Sequence, residues 1–163
     1  MNRTAVFTGD QLSNTLHALD VNFLLGGQGG DAPLCKQPVR LLAALAASDE
    51  ARLPLSLIPL FLEHPEYAVY VRAVAAQLAP SHRLTLQCYY CAALWLGQKY
   101  QRASSLPDYF SDELALQPTG DSEENLRALA KRHAELSGAP VNWLGTYQHA
   151  AQVWLKGLEY RTV

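Results

Sequence analysis

LTLQCYYCAALWLGQKY occupies residues 84–100. Leu84, Cys88, Cys91, Ala92 and Trp95 fall at i, i+4, i+7, i+8 and i+11, which is one face of an α-helix. Tyr89, Leu96 and Tyr100 line an adjacent face, and Arg83, Gln87, Gln98 and Gln101 leave only a narrow polar side. The spacing predicts a helix from about Ser81 to Arg102. A helix with so wide an apolar surface needs neighbours on most sides, so it reads as the centre of a domain.

The same stretch contains Cys88 and Cys91, a CxxC pair in a chain with three cysteines. A redox pair sits at a helix N-terminus, where the dipole lowers a thiol pKa and solvent reaches the sulfur. These two fall deep inside a helix among apolar neighbours, and a disulfide within one turn is geometrically strained. A zinc site would draw on Cys35 and one of His64, His82, His133 or His149, none at zinc-finger spacing. The pair therefore reads as small core residues.

Working outward, the helical period continues in both directions. PVRLLAALAA (38–47) places Pro38 in a first turn, with Val39, Leu42, Ala43 and Leu45 as its stripe. Ser48, Asp49 and Glu50 then suit the start of another helix. RLPLSLIPLFLEH (52–64) reads as a helix with Pro54 in its first turn and a bend at Pro59. Pro65 restarts the chain, and Ala68, Val71, Ala75 and Leu78 share one face. Downstream, 104–120 is a polar connection pinned by Tyr109, Phe110, Leu114 and Leu116. Asp121 and Glu124 have capping-box spacing, Gly138 and Pro140 end that helix, and Asn142 caps the last one. Trp143, Tyr147, Ala150, Ala151 and Trp154 form its inner stripe.

The expected fold is all-α, a compact bundle of about six or seven helices. Residues 1–163 read as a single domain, with an irregular segment over 1–37 and a helical core over 38–163. Within 1–37, Asp10 is the expected cap of a short helix carrying Leu12, Leu16 and Leu19. GGQGGDAP (26–33) reads as a loop, with four glycines in its first five residues. No stretch is long and apolar enough to span a bilayer, and the N-terminus lacks the core of a signal peptide. The chain is thus expected to be cytoplasmic, with no membrane partner.

The formal net charge is −2, and the Lys and Arg residues are scattered. This argues against nucleic acid as a partner. No GxSxG or HExxH motif is present. Asp108, Asp112 and Glu113 cluster in sequence, but no nucleophile or histidine is nearby, so they read as solvating and capping groups. His149 reads as a helix-face packing residue. No catalytic residue, metal or cofactor is expected.

Two resemblances add to this reading. LHALDVNFLLGG (16–27) resembles the opening of bacterial nucleotidyltransferases, where a helix and strand lead to a Gly-Gly turn. It implies a small-molecule or nucleotide site on Gly26, Gly27, Gly29 and Gly30. The Gly-Ser and paired aspartates that follow in that family are absent, so no metal ligands carry over. LIPLFLEHPEYAVYVRAVAAQL (57–78), within residues 39–78, resembles a HEAT-type helix pair. That resemblance implies a non-enzymatic protein-interaction module, a partner or regulatory subunit of another protein or of a second copy of itself. Tyr67, Tyr70 and Arg72 are the expected contact residues, since tyrosine and arginine supply contact area and directional hydrogen bonds.

Overall fold

The structure is a computed structural model that describes residues 7–19, 21, 34, 36–101 and 106–161, with side chains to Glu159. All regular structure among these residues is helical: α1 Gly9–Ala18, α2 Pro38–Ala47, α3 Arg52–Leu55, α4 Leu57–Glu63, a 3-10 turn Pro65–Tyr67, α5 Ala68–Gln77, α6 Pro80–Lys99, α7 Ser122–Ser137 and α8 Trp143–Arg161. The all-α expectation holds. α3 and α4 meet at Ser56, so the segments stack as seven rods.

α6 is the axle. Every residue from Leu86 to Leu96 is buried, on all faces of the helix. α2, α3, α4, α5, α7 and α8 all pack against it. Small side chains at Cys88, Cys91, Ala92 and Ala93 fit among these neighbours, and Tyr89, Tyr90 and Trp95 fill the remaining space. Tyr90 meets the Phe61 ring edge-on at 5.0 Å and donates its hydroxyl to Pro107 O at 2.7 Å, so a buried phenol stays hydrogen-bonded.

The ends of the helices follow local chemistry. Asp121 accepts from the backbone N–H groups of Glu123 and Glu124 to start α7, and Gly138 closes it at φ 69°, a left-handed position that suits glycine. Asn142 accepts from Gly145 N at 3.0 Å. Two expectations need correction. The cap of α1 is Thr8, not Asp10: Thr8 Oγ1 accepts from Gln11 N while Gln11 Oε1 accepts from Thr8 N. Asp10 sits inside the first turn, where its charge faces the positive end of the helix. The break in 52–63 lies at Ser56 rather than at Pro59. Pro59 has no N–H for the carbonyl of Leu55, and its ring crowds that carbonyl, so the distortion appears a turn upstream.

The strap from Leu106 to Leu116 crosses α6. Leu106, Phe110 and Leu114 are buried. Asp108 accepts from Ser111 N and Oγ, which fixes a turn that closes with Leu116 N donating to Ser111 O at 2.8 Å. Ala115 takes φ 56° there, the position a glycine fills at lower strain.

Cys88 and Cys91 are fully buried free thiols, and desolvation raises both, Cys88 to about 12. Cys91→Ala should keep the fold, with a loss of about 1–2 kcal/mol from the emptied space. Cys91→Ser should lose more, because an unpartnered hydroxyl enters an apolar slot. Urea denaturation of the two variants checks the order. Equal stability, or fast thiol labelling of the folded protein, would contradict core burial.

Candidate functional site

The expected contact residues separate in the structure. Tyr67 is only 8% exposed and belongs to the core; its ring stacks on His64 at 5.4 Å and meets Tyr70 at 6.4 Å. This corrects its place on a contact face. The 3-10 turn swings it inward, whereas Tyr70 (37% exposed) and Arg72 remain at the surface. Gly26, Gly27, Gly29 and Gly30 lie outside the described residues, so the nucleotide-site expectation is carried by none of the geometry below. Asp112 and Glu113 are exposed on the strap, and His149 is exposed on α8. Among the described residues no group of three His, Cys, Asp or Glu side chains is placed to hold a metal ion.

α5 is unusual in its outer face. Ala68, Val71, Val74 and Ala75 point into the core. The solvent side carries Val69, Tyr70, Arg72, Ala73, Ala76 and Gln77, with a single charge among them. Val69 is 72% exposed. A surface helix ordinarily sets a charged face opposite its apolar one.

Beside that face opens a cleft of ≈ 390 Å³, lined by Arg72, Ala75 and Ala76 of α5, Arg83 and Gln87 of α6, and Tyr109, Phe110 and Glu113 of the strap. The alanines leave room at its α5 wall. Arg72 lies over the Tyr109 ring, 5.0 Å from its centre. Arg83 donates from Nε to Ala75 O at 2.8 Å and from Nη2 to Leu78 O at 3.1 Å, so it caps the negative end of α5. Gln87 Nε2 donates to Glu113 Oε2 at 2.6 Å. No carboxylate among the described residues lies within ion-pair distance of either guanidinium. Sequence reading placed Arg83 and Gln87 on the polar side of α6 without a purpose for that side. Their i, i+4 spacing was the available signal.

A buried histidine–tyrosine pair lies elsewhere, on α7 and α8. His133 Nδ1 is hydrogen-bonded to the Tyr147 hydroxyl at 2.6 Å, and the imidazole stacks on Trp143 at 3.6 Å with Tyr89 edge-on. Both His133 and Tyr147 are buried. Desolvation pushes His133 down to about 4 and the Tyr147 phenol well up, so both are neutral at pH 7. Their bond joins α7 to α8.

His64 has the opposite character. Its Nε2 lies 2.6 Å from Leu19 O and its Nδ1 lies 2.8 Å from Glu66 Oε1. Both partners only accept, so both ring nitrogens donate when the imidazole is protonated. Burial pulls the pKa down, but the bonds to Leu19 O and Glu66, with the charges of Glu66 and Glu63, outweigh it and raise the value. This contact ties the end of α1 to the turn between α4 and α5.

Comparison with family models, curated proteins and solved structures gives no match.

The two histidines give stability a pH dependence of known sign. For His133 the folded value is depressed, so as pH falls from 6.5 toward 4 the unfolded chain takes up a proton that the folded chain refuses. Stability from this site is complete above 6.5 and declines below it, by about 3 kcal/mol in all. His133→Phe combined with Tyr147→Phe should flatten that decline in urea titrations run across this range. For His64 the folded value is raised, so its contribution is present below 6.5 and fades as pH rises through the folded pKa. His64→Gln should remove the alkaline part of the profile. An unchanged profile in either variant would contradict its assignment.

Proposed function

We propose that this protein is a non-enzymatic helical interaction module, and that the outer face of α5 is where it binds another protein. The observation that carries the reading is α5 itself. Val69, Tyr70, Ala73 and Ala76 face solvent with Arg72 as the only charge among the exposed residues of the helix. Covering that face removes apolar surface from water, at roughly 25 cal/mol per Å², without stripping water from many charges. Tyr70 and Arg72 are residue types that anchor interfaces. The partner best suited is a helical segment that lays small apolar side chains along Val69, Ala73 and Ala76. α5, and not a repeat-like pairing of residues 39–78, carries the proposed contact.

Val69→Asp should abolish capture of the native partner and leave the unfolding midpoint within about 0.5 kcal/mol of the parent, because an exposed position tolerates the change. Tyr67→Ala should act in the reverse sense. It removes a buried ring and should cost about 3–5 kcal/mol of stability. Capture by pull-down and stability by chemical denaturation read the two effects separately. Full capture by Val69→Asp would overturn the proposed face.

A further inference from the structure

We propose that the cleft between α5, α6 and the strap is a carboxylate-binding site, and that it takes an acidic side chain of the helical segment that covers α5. The identity of that segment as the source rests on the α5 reading; the carboxylate chemistry of the cleft does not.

Both cations of the cleft are held in place before any ligand arrives. Arg83 is fixed by two hydrogen bonds to the carbonyls of Ala75 and Leu78, and Arg72 by the Tyr109 ring beneath it. A guanidinium already ordered loses little freedom when it binds an anion, and its planar fork matches a carboxylate. The one carboxylate in the lining, Glu113, is engaged by Gln87. The lining thus carries two cations and one anion, a net charge of +1. One carboxylate balances it. A phosphate dianion exceeds it by one charge, and its repulsion from Glu113 is twice that of a carboxylate at the same distance. Arg72 and Ala76 belong both to the cleft and to the exposed side of α5, so a helix lying along Val69 and Ala73 can reach the cleft with a glutamate or aspartate. This complementarity selects an acidic amphipathic helix over a purely apolar one.

The test uses the full chain with ¹⁵N label and follows the Nε–H signals of Arg72 and Arg83. The probes are sodium acetate, inorganic phosphate, and a capped amphipathic Ala–Leu–Glu helical peptide with its Gln-for-Glu counterpart. Sodium chloride at matched ionic strength is the reference. Acetate should shift both signals beyond the chloride reference, and more than phosphate does. Arg72→Gln should abolish the shift at Arg83, and Arg72→Lys, which keeps the charge and loses the fork, should reduce it. The Glu peptide should bind at least about tenfold more tightly than the Gln peptide, the scale of one charge-assisted contact. Val69→Asp should weaken both peptides and leave the acetate response intact. Acetate shifts no larger than those of chloride, or shifts that survive Arg72→Gln, would overturn the carboxylate site. A stronger phosphate response would overturn its ligand class. Acetate binding intact with peptides indifferent to Val69→Asp would retain the site and sink the α5 reading.

Discussion

The central helix α6 has no side that faces water along Leu86–Leu96, and the rest of the fold follows from that constraint. A helix of ordinary amphipathicity can be satisfied by one layer. One that is apolar all round must be enclosed, and six other helices share the task here. Enclosure limits side-chain size at the closest approaches. Small residues at 88, 91, 92 and 93 meet that limit, and the rings of Tyr89, Tyr90 and Trp95 are buried beside them. The CxxC spacing is a by-product of packing two small residues one turn apart, since cysteine behaves as a small hydrophobe when buried.

The candidate site uses the places where that helix is polar. Arg83 lies before the buried run and reaches back to the open carbonyls of α5, which fixes how α5 leaves the bundle. Gln87 lies at the edge of the run and holds Glu113, while Tyr90 holds Pro107, so two donors on α6 set the position of the strap. Arg132 of α7 donates to Leu114 O and secures the strap's far end. The cleft is therefore framed by groups that are already hydrogen-bonded. Its remaining freedom lies in the charges of Arg72 and Arg83, which the described part of the chain does not neutralise.

Much of the architecture was legible in the sequence because it depends on local rules. Period, first-turn prolines, Asp121, Gly138 and Asn142 act within a few residues of themselves. What was not legible depends on distant partners. Tyr67 and Tyr70 are alike in sequence, and only the path of the 3-10 turn decides which ring goes inward. Pro59 signalled a break, but its effect falls on the carbonyl four residues earlier, so the sequence marks the cause and the backbone shows the displaced consequence. Thr8 and Asp10 are both good capping types, and the choice between them rests on the reciprocal bonds of Thr8 with Gln11. The cleft joins residues from 72 to 113, and His133 meets Tyr147 across a turn and Tyr89 across the bundle. No short window contains either set.

The outer elements are tied to the centre by a different kind of interaction from those that hold the centre together. α1 is docked through Leu12 and Leu16 and then fastened by the Leu19 carbonyl on His64. α8 is docked through Ala150 and Ala151 and fastened by Tyr147 on His133 and by Trp154 Nε1 on Glu63 at 2.8 Å. Apolar burial is indifferent to direction and to pH, whereas each of these polar contacts needs one geometry and, for the histidines, one protonation state. His64 is suited to donate twice and His133 to remain neutral, so a single pH change cannot strengthen both. α1 and α8 are thus held by polar contacts of opposed pH dependence.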